Sequence, residues 1–288
     1  MANKIELAVV GIFWDGFYDL WEDFLELKER FWKDCPYPLY IVNQTKDLGF
    51  PKDYDVTVLH AGAEAEYSKK VQVALQNINA DYYLLLLDDF FFSKNIKGGI
   101  LDGVLDYIKV KSVEYYCMPL YEFIAPLVGK AGKISDVPYR LKESDEYTLS
   151  CQPAIWKRDF LQKCIGTGNY NAWVFEGIYA TSKIAHQFDF LKNCLTINNN
   201  PLCLLHGALQ GKMVPDTMDY YNNIGYTMFN KREALTPSVY RRHQLKSTIK
   251  SIIPLPIQRI IKKIFKVNSI YGRYSKEIEE EMERMGIS

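Results

Sequence analysis

Blocks of apolar residues, each with the period of one kind of element, follow one another along the N-terminal part of this chain. Residues 4–13 (KIELAVVGIF) are nearly continuously apolar and read as a strand. Over 19–32, Leu20, Phe24, Leu27 and Phe31 recur at spacings of three and four, the stripe of an amphipathic helix, and Pro36 and Pro38 close it. Residues 39–43 (LYIVN) read as a second strand, 44–47 as its polar turn, and 55–60 as a short third strand. Over 64–78, Tyr67, Val71, Ala74, Leu75 and Ile78 share one helix face. Residues 81–93 (DYYLLLLDDFFFS) then form an uninterrupted apolar run with aromatics at both ends, the pattern of a strand buried on both faces. The order strand, helix, strand, strand, helix, strand predicts an α/β chain with a mostly parallel central sheet flanked by helices.

The pattern weakens downstream. Residues 95–110 read as a helix and 113–120 as a strand. Residues 122–144 lack a clean period and carry Gly129, Gly132 and Pro138, which predicts a long loop over the site. A strand is expected over 146–155, a helix over 157–164, a break at 166–171 and a further helix over 171–183. Residues 195–205 read as a last strand pair or hairpin, turning at 198–201. From Tyr240 the composition changes. Arg241, Arg242, Lys246, Lys250, Arg259, Lys262, Lys263 and Lys266 alternate with isoleucines, and 256–266 (PIQRIIKKIFK) has the pattern of a basic amphipathic helix. Such helices lie at membrane interfaces and are drawn to anionic lipid, or dock on their own domain or a second copy. Residues 275–284 read as an acidic helix, solvated or paired with the basic stretch.

Composition narrows the classes. Of 288 residues, 35 are Lys or Arg and 35 are Asp or Glu, so no bulk charge points to nucleic acid. Six cysteines are scattered with no C-x-x-C pair, which argues against a zinc site and fits reduced thiols. The start runs directly into a strand pattern without the h-region of a signal peptide, and no apolar run is long enough to span a bilayer. A cytoplasmic protein, peripheral at most on the inner face of the membrane, is the expectation. Gly-x-Gly-x-x-Gly and the phosphate-loop signature are both missing, against a dehydrogenase or P-loop kinase.

The candidate chemistry starts at Asp88 and Asp89, which close the buried run. In open α/β sheets ligands bind at the carboxyl ends of the strands. Two adjacent carboxylates there repel unless a cation lies beside them, and hard oxygen donors suit Mg²⁺ or Mn²⁺. A turn or a helix cap would use the same residues. The same topological rule places a nucleotide near Phe13 and Asp15 after the first strand and Asn43 and Gln44 after the second. Trp156 and Trp173 are packing residues or sugar-stacking ones, and Gln152 either meets an acceptor or satisfies a strand edge.

Four stretches in this order resemble a GT-A glycosyltransferase of the bacterial surface-polysaccharide and lipopolysaccharide type: LLLLDDFFF, TLSCQPAIWKRDFL, WVFE ending in Glu176, and LLHGALQGKMVP with His206 and Lys212. The resemblance covers roughly 5–215 of the sequence. It implies a GT-A-like catalytic domain over 1–235, divided into a nucleotide-sugar half (1–121) and an acceptor half (122–235), with a helical extension over 236–288. It implies a divalent metal on Asp89 with His206 as a further ligand, Asp88 orienting the nucleotide or a water, and Lys212 on the diphosphate. Glu176 becomes the catalytic base of an inverting transfer from a nucleotide-sugar donor to a saccharide or lipid-linked saccharide. A sugar nucleotidyltransferase would use similar acidic residues but a Gly-rich basic loop after its first strand, where this chain has FWDGFYDLW. A non-catalytic sugar- or nucleotide-binding scaffold is the third reading.

Overall fold

The computed structural model describes residues 4–120, 135–141, 148–180, 189–252 and 270–287. The first strands and helices fall where the periodicity puts them: β1 (Ile5–Ile12), α1 (Tyr18–Phe31), β2 (Leu39–Asn43), β3 (Thr57–His60), α2 (Tyr67–Asn77) and β4 (Ala80–Leu87). β5 (Phe90–Phe92), α3 (Ile100–Val110), β6 (Tyr115–Cys117) and β7 (Ser135–Arg140) follow, then β8 (Ala154–Lys157), α4 (Arg158–Ile165) and α5 (Ala172–Ala180). β9 (Cys194–Asn198), β10 (Leu204–His206), β11 (Ala208–Leu209), β12 (Lys212–Met213), α6 (Pro215–Asn223), α7 (Pro237–Ile252) and α8 (Ser275–Arg284) complete the described chain.

Eight strands form one sheet in the order β3-β2-β1-β4-β8-β6-β9-β7. β3, β2, β1 and β4 are parallel, β8 enters antiparallel between β4 and β6, β9 is parallel to β6, and β7 reverses again at the edge. The sheet is therefore mostly parallel and flanked by helices, as the sequence predicts. Side-chain alternation divides the core between its two faces. Ala8, Val10 and Ile12 of β1, with Tyr83 and Leu85 of β4, pack against α2, α4, α5 and α8. Leu7 and Val9, with Leu84 and Leu86, pack against α1, α3 and Tyr221 of α6. No described helix is long and apolar enough to cross a membrane.

Several expectations are corrected. The strand read in 81–93 ends at Leu87, with the aspartates just past its carboxyl end as expected, but the phenylalanines after them form a separate strand. The chain turns at Asp88-Asp89, and Phe90–Phe92 leave the main sheet to pair antiparallel with β10. All three phenylalanines are buried, so their ribbon is a second core layer rather than an extension of the strand. β9 and β10 are consequently not a hairpin: β9 lies in the main sheet, and Asn200 turns the chain away by bonding both the N–H and the C=O of Leu204 (3.1 and 2.7 Å). Within the loop expected over 122–144, residues 135–140 are an edge strand; its parts over 122–134 and 142–144 lie outside the described residues. The strand expected over 146–155 begins only at Ala154, because 148–153 bonds elsewhere. Thr148 Oγ1 donates to Tyr179 O (2.8 Å), Cys151 N to Glu176 Oε1 (3.0 Å), and Gln152 Oε1 accepts from Leu120 N (3.0 Å). Gly98-Gly99 delays α3 to Ile100, with Gly99 left-handed at its start (φ 73°).

The acidic helix is solvated on one face only and docks through the other. Ile278 and Glu281 of α8 are buried, and Ile278 and Ile287 join the core shared with α5. Gly168 shows how close this docking is, since a Cβ there would overlap the Glu281 carboxylate. The basic stretch over 256–266 lies outside the described residues.

Candidate functional site

The parallel strands β1, β2 and β4 end side by side, and the polar residues beyond their carboxyl ends form the site. Asp88 is buried and receives the Trp14 N–H at 2.8 Å. Lys70 of α2 reaches the same place. Its ammonium is buried, donates to Phe13 O at 2.7 Å, and faces Asp88. Burial raises the Asp88 pKa to about 6, against the Trp14 N–H and the Lys70 charge, which favour the carboxylate. Burial with the neighbouring Asp88 charge pushes Asp89 further, up to about 8. Asp89 Oδ1 is buried without a hydrogen-bond partner, while its carbonyl accepts the Gly207 N–H at 2.6 Å.

The β5–β10 ribbon brings His206 to this corner. His206 lies opposite Phe90 in the register, its ring edge-on to that phenyl at 5.5 Å. Burial lowers its pKa to about 4, so the imidazole is neutral near pH 7, the form that binds metals. Glu176 is linked to this corner through Cys151. It lies in the second turn of α5, not at the helix start, and its Oε1 accepts the Cys151 N–H. The Cys151 thiol is raised well above its ordinary pKa by burial, then by the charges of Glu176 and Asp89. One buried thiol thus lies within electrostatic reach of both carboxylates.

The remaining predicted residues divide. Asp15 joins the ends of β1 and β2: its carboxylate accepts from Gln44 N (3.1 Å), Thr45 N (3.0 Å) and Thr45 Oγ1 (2.8 Å). Asn43 is fully buried and its amide is committed internally, to His60 Nδ1 (2.7 Å) and Lys46 O (2.5 Å). The Phe13 ring offers no face to a base. It is fully buried against Trp21 and Phe24, because alternation turns it into the core. The exposed aromatic of this loop is its neighbour Trp14, 52% accessible. Lys212 sits on the β11–β12 hairpin and pairs with Glu233 at 3.0 Å. Trp156 is buried against Tyr115, whereas Trp173 is exposed one turn before Glu176.

Sequence reading missed Lys70, Trp14 and Cys151. A lysine in a helix between Ser68 and Val71 looks solvated, and only the fold shows that this position faces Asp88. Trp14 carried no signal either: both faces of β1 are buried, and the indole is exposed because the chain has left the strand.

Asp89 has the character of a cation ligand: a buried carboxylate oxygen with no donor of its own, beside a second carboxylate. No three His, Cys, Asp or Glu side chains converge on one point among the described residues. A donor set of one or two protein groups fits an ion of the Mg²⁺ or Mn²⁺ kind, which takes its other ligands from water and substrate phosphates.

Fold and site together define an α/β protein with a mostly parallel sheet and a buried acidic pair at the carboxyl end of a central strand. No protein family and no curated protein matches the sequence. Among solved structures, the mannosyltransferase PcManGT from Pyrobaculum calidifontis, in complex with GDP-Man and Mn²⁺, is similar over 99% of this chain and 87% of its own, at 10% identity and a TM-score of 0.44. S. aureus TarS 1-349 in complex with UDP-GlcNAc is similar over 62% of this chain at 12% identity and a TM-score of 0.40, and this chain spans about half (54%) of its length. A cytidylyltransferase from Leptospira borgpetersenii is similar over 64% of this chain and 74% of its own, at 12% identity and a TM-score of 0.36. Likenesses at this level assign neither family nor activity.

Proposed function

We propose that the chain is a glycosyltransferase that moves a sugar from a nucleotide-sugar donor to a saccharide or lipid-linked saccharide, with inversion. The observation that carries this reading is Asp89, whose buried, unpartnered oxygen lies at the end of β4 beside Asp88 and within electrostatic reach of the thiol that Glu176 also faces.

Asp89 and His206 would hold a divalent cation, which when bound supplies positive charge for the departing diphosphate. The chain's own residues do the rest. Lys70 and the Trp14 N–H keep Asp88 fixed and partly neutralised next to that position. Trp14 and Asp15 bound the place where the nucleoside lies, with the exposed indole as a stacking face. Lys212 meets the diphosphate by exchanging Glu233 for it. Glu176 takes the proton of the acceptor hydroxyl as the new bond from that oxygen to the sugar C1 forms. The C1–O bond to phosphate breaks on the opposite side, and the diphosphate leaves with the electron pair. The Cys151 N–H orients the Glu176 carboxylate for this. A single base on the acceptor side accounts for inversion. The basic-apolar sequence over 249–266 supports a peripheral position at an anionic membrane, where a lipid-linked acceptor of surface-polysaccharide assembly would be met.

The test is a panel of nucleotide sugars with Mn²⁺, scored for donor cleavage and transfer. Glu176→Gln keeps an oxygen for the Cys151 N–H, so donor binding and melting temperature stay as in the wild type. Transfer falls by about a hundredfold or more, the usual effect of losing a general base. Unchanged transfer in this variant removes Glu176 from the chemistry. Pyrophosphate release from a nucleoside triphosphate and a sugar 1-phosphate would replace this reading with nucleotidyl transfer.

A further inference from the structure

A strap of chain after α6 ties together the two loops that hold the aspartates, and one guanidinium makes the connection. The strap is anchored first on α1. Asp23, fully buried, accepts four hydrogen bonds there: from the Tyr226 hydroxyl (2.9 Å), Phe229 N (2.9 Å), Asn230 N (3.0 Å) and Asn230 Nδ2 (2.6 Å). It is anchored again on the hairpin, where Leu235 N donates to Met213 O (2.9 Å) and Met213 N to Glu233 O (3.0 Å). Arg232 lies between these anchors. Its Nε and Nη2 grip the two oxygens of Asp19, each at 2.6 Å. Nη2 also donates to Gly16 O (2.9 Å) and Nη1 to Gly211 O (3.0 Å), while the guanidinium covers the Phe17 ring, 4.3 Å from its centroid.

The two carbonyls belong to two different loops of the site. Gly16 follows Trp14 and Asp15, in the loop whose Trp14 N–H binds Asp88. Gly211 lies in the hairpin that starts after Gly207, whose N–H binds the Asp89 carbonyl. We propose that Arg232 is a positioning residue that fixes these two loops relative to each other, and so sets the affinity for the donor's nucleotide diphosphate; the donor part rests on the glycosyltransferase reading. The chemistry calls for arginine. A planar fork can hold a carboxylate with two N–H groups and still donate sideways to two carbonyls, whereas a lysine ammonium is a point charge on a flexible stem that cannot span all three. Groups around a site that do not touch the ligand commonly change affinity by about 10- to 100-fold when lost.

The experiment compares the wild-type chain, Arg232→Lys and Asp19→Asn in two measurements. Hydrogen exchange reads the clamp itself. Arg232→Lys is expected to speed exchange of both the Trp14 and the Gly207 amides, while the amides of β1 and β4 keep their protection. Asp19→Asn, which leaves both carbonyl bonds, has the smaller effect. Acceleration confined to 226–236, or none at all, overturns the proposal. Titration with UDP and with GDP, each with Mn²⁺, reads the consequence. Arg232→Lys is expected to weaken whichever nucleotide the wild type binds by about tenfold, and an unchanged affinity overturns the link to the donor. Wild-type protein that binds neither nucleotide counts against the glycosyltransferase reading and against that link, while the exchange rates still decide the clamp.

Discussion

Asp89→Asn is the most informative single change, because it removes the charge that the fold tolerates least. A carboxyl whose pKa is raised by folding holds its proton in the native state over a pH range where the unfolded chain has lost it. Between the unfolded value near 4 and the native value of about 8, stability therefore falls as pH rises. Each pH unit in that window costs about 1.4 kcal/mol for a group acting alone. Asp88, raised to about 6, shares the burden, so the step from pH 5 to pH 8 attributable to Asp89 is about 3 kcal/mol. That corresponds to roughly 6–10 °C in melting temperature for a chain of this size. Asparagine has the same shape and no charge. The assay is thermal and urea unfolding of both proteins in EDTA at pH 5, 6, 7 and 8, read as the difference between the two curves. His206, whose native pKa is lowered to about 4, makes the fold less stable as pH drops below about 6.5, but it is present in both proteins and cancels. The expected outcome is a variant close to wild type at pH 5 and more stable by about 3 kcal/mol at pH 8. Mn²⁺ should remove most of that difference by stabilising the wild type alone. Parallel curves from pH 5 to pH 8 would refute the reasoning, since Asp89 would then be as well solvated folded as unfolded.

Two further outcomes test the scaffold around the pair. Lys70→Met removes the buried ammonium beside Asp88, and unfolding in urea should show a loss of about 3 kcal/mol at pH 8 that shrinks at pH 5, where Asp88 takes a proton. Gly168→Ala displaces the Glu281 carboxylate and the Arg284 guanidinium that pack over it, with a melting-temperature loss equivalent to about 1 kcal/mol; Glu281→Ala in the same protein should restore part of it.

The site's economy lies in how few groups do several jobs. The amide of Trp14 fixes Asp88 while its indole stays exposed, and the end of β10 supplies both His206 and, one residue on, the Gly207 N–H on Asp89. The 166–170 loop is stitched to α2 through Ser68 and Gln72, so the helix that carries Lys70 and the helix that carries Glu176 share one support.

The sequence by itself determined the elements whose signals are local. β1, β2, β4 and the helices α1 and α2 follow from apolar periodicity, because each buries one stripe or both faces against near neighbours in the chain. The acidic pair after LLLL was legible for the same reason, since a buried run that ends in two carboxylates announces the carboxyl edge of a strand. What only the tertiary structure decided depends on residues far apart in sequence. The departure of Phe90–Phe92 from the sheet is set by a partner strand more than a hundred positions later. Residues 135–140 become a strand because β9 offers them an edge. The docking of α8 follows from an apolar stripe short enough to pass for a solvated helix. Lys70 and Arg232 were invisible for a related reason: a charged side chain looks the same in sequence whether it meets water or a buried carboxylate, and its meaning is fixed only when folding removes the water.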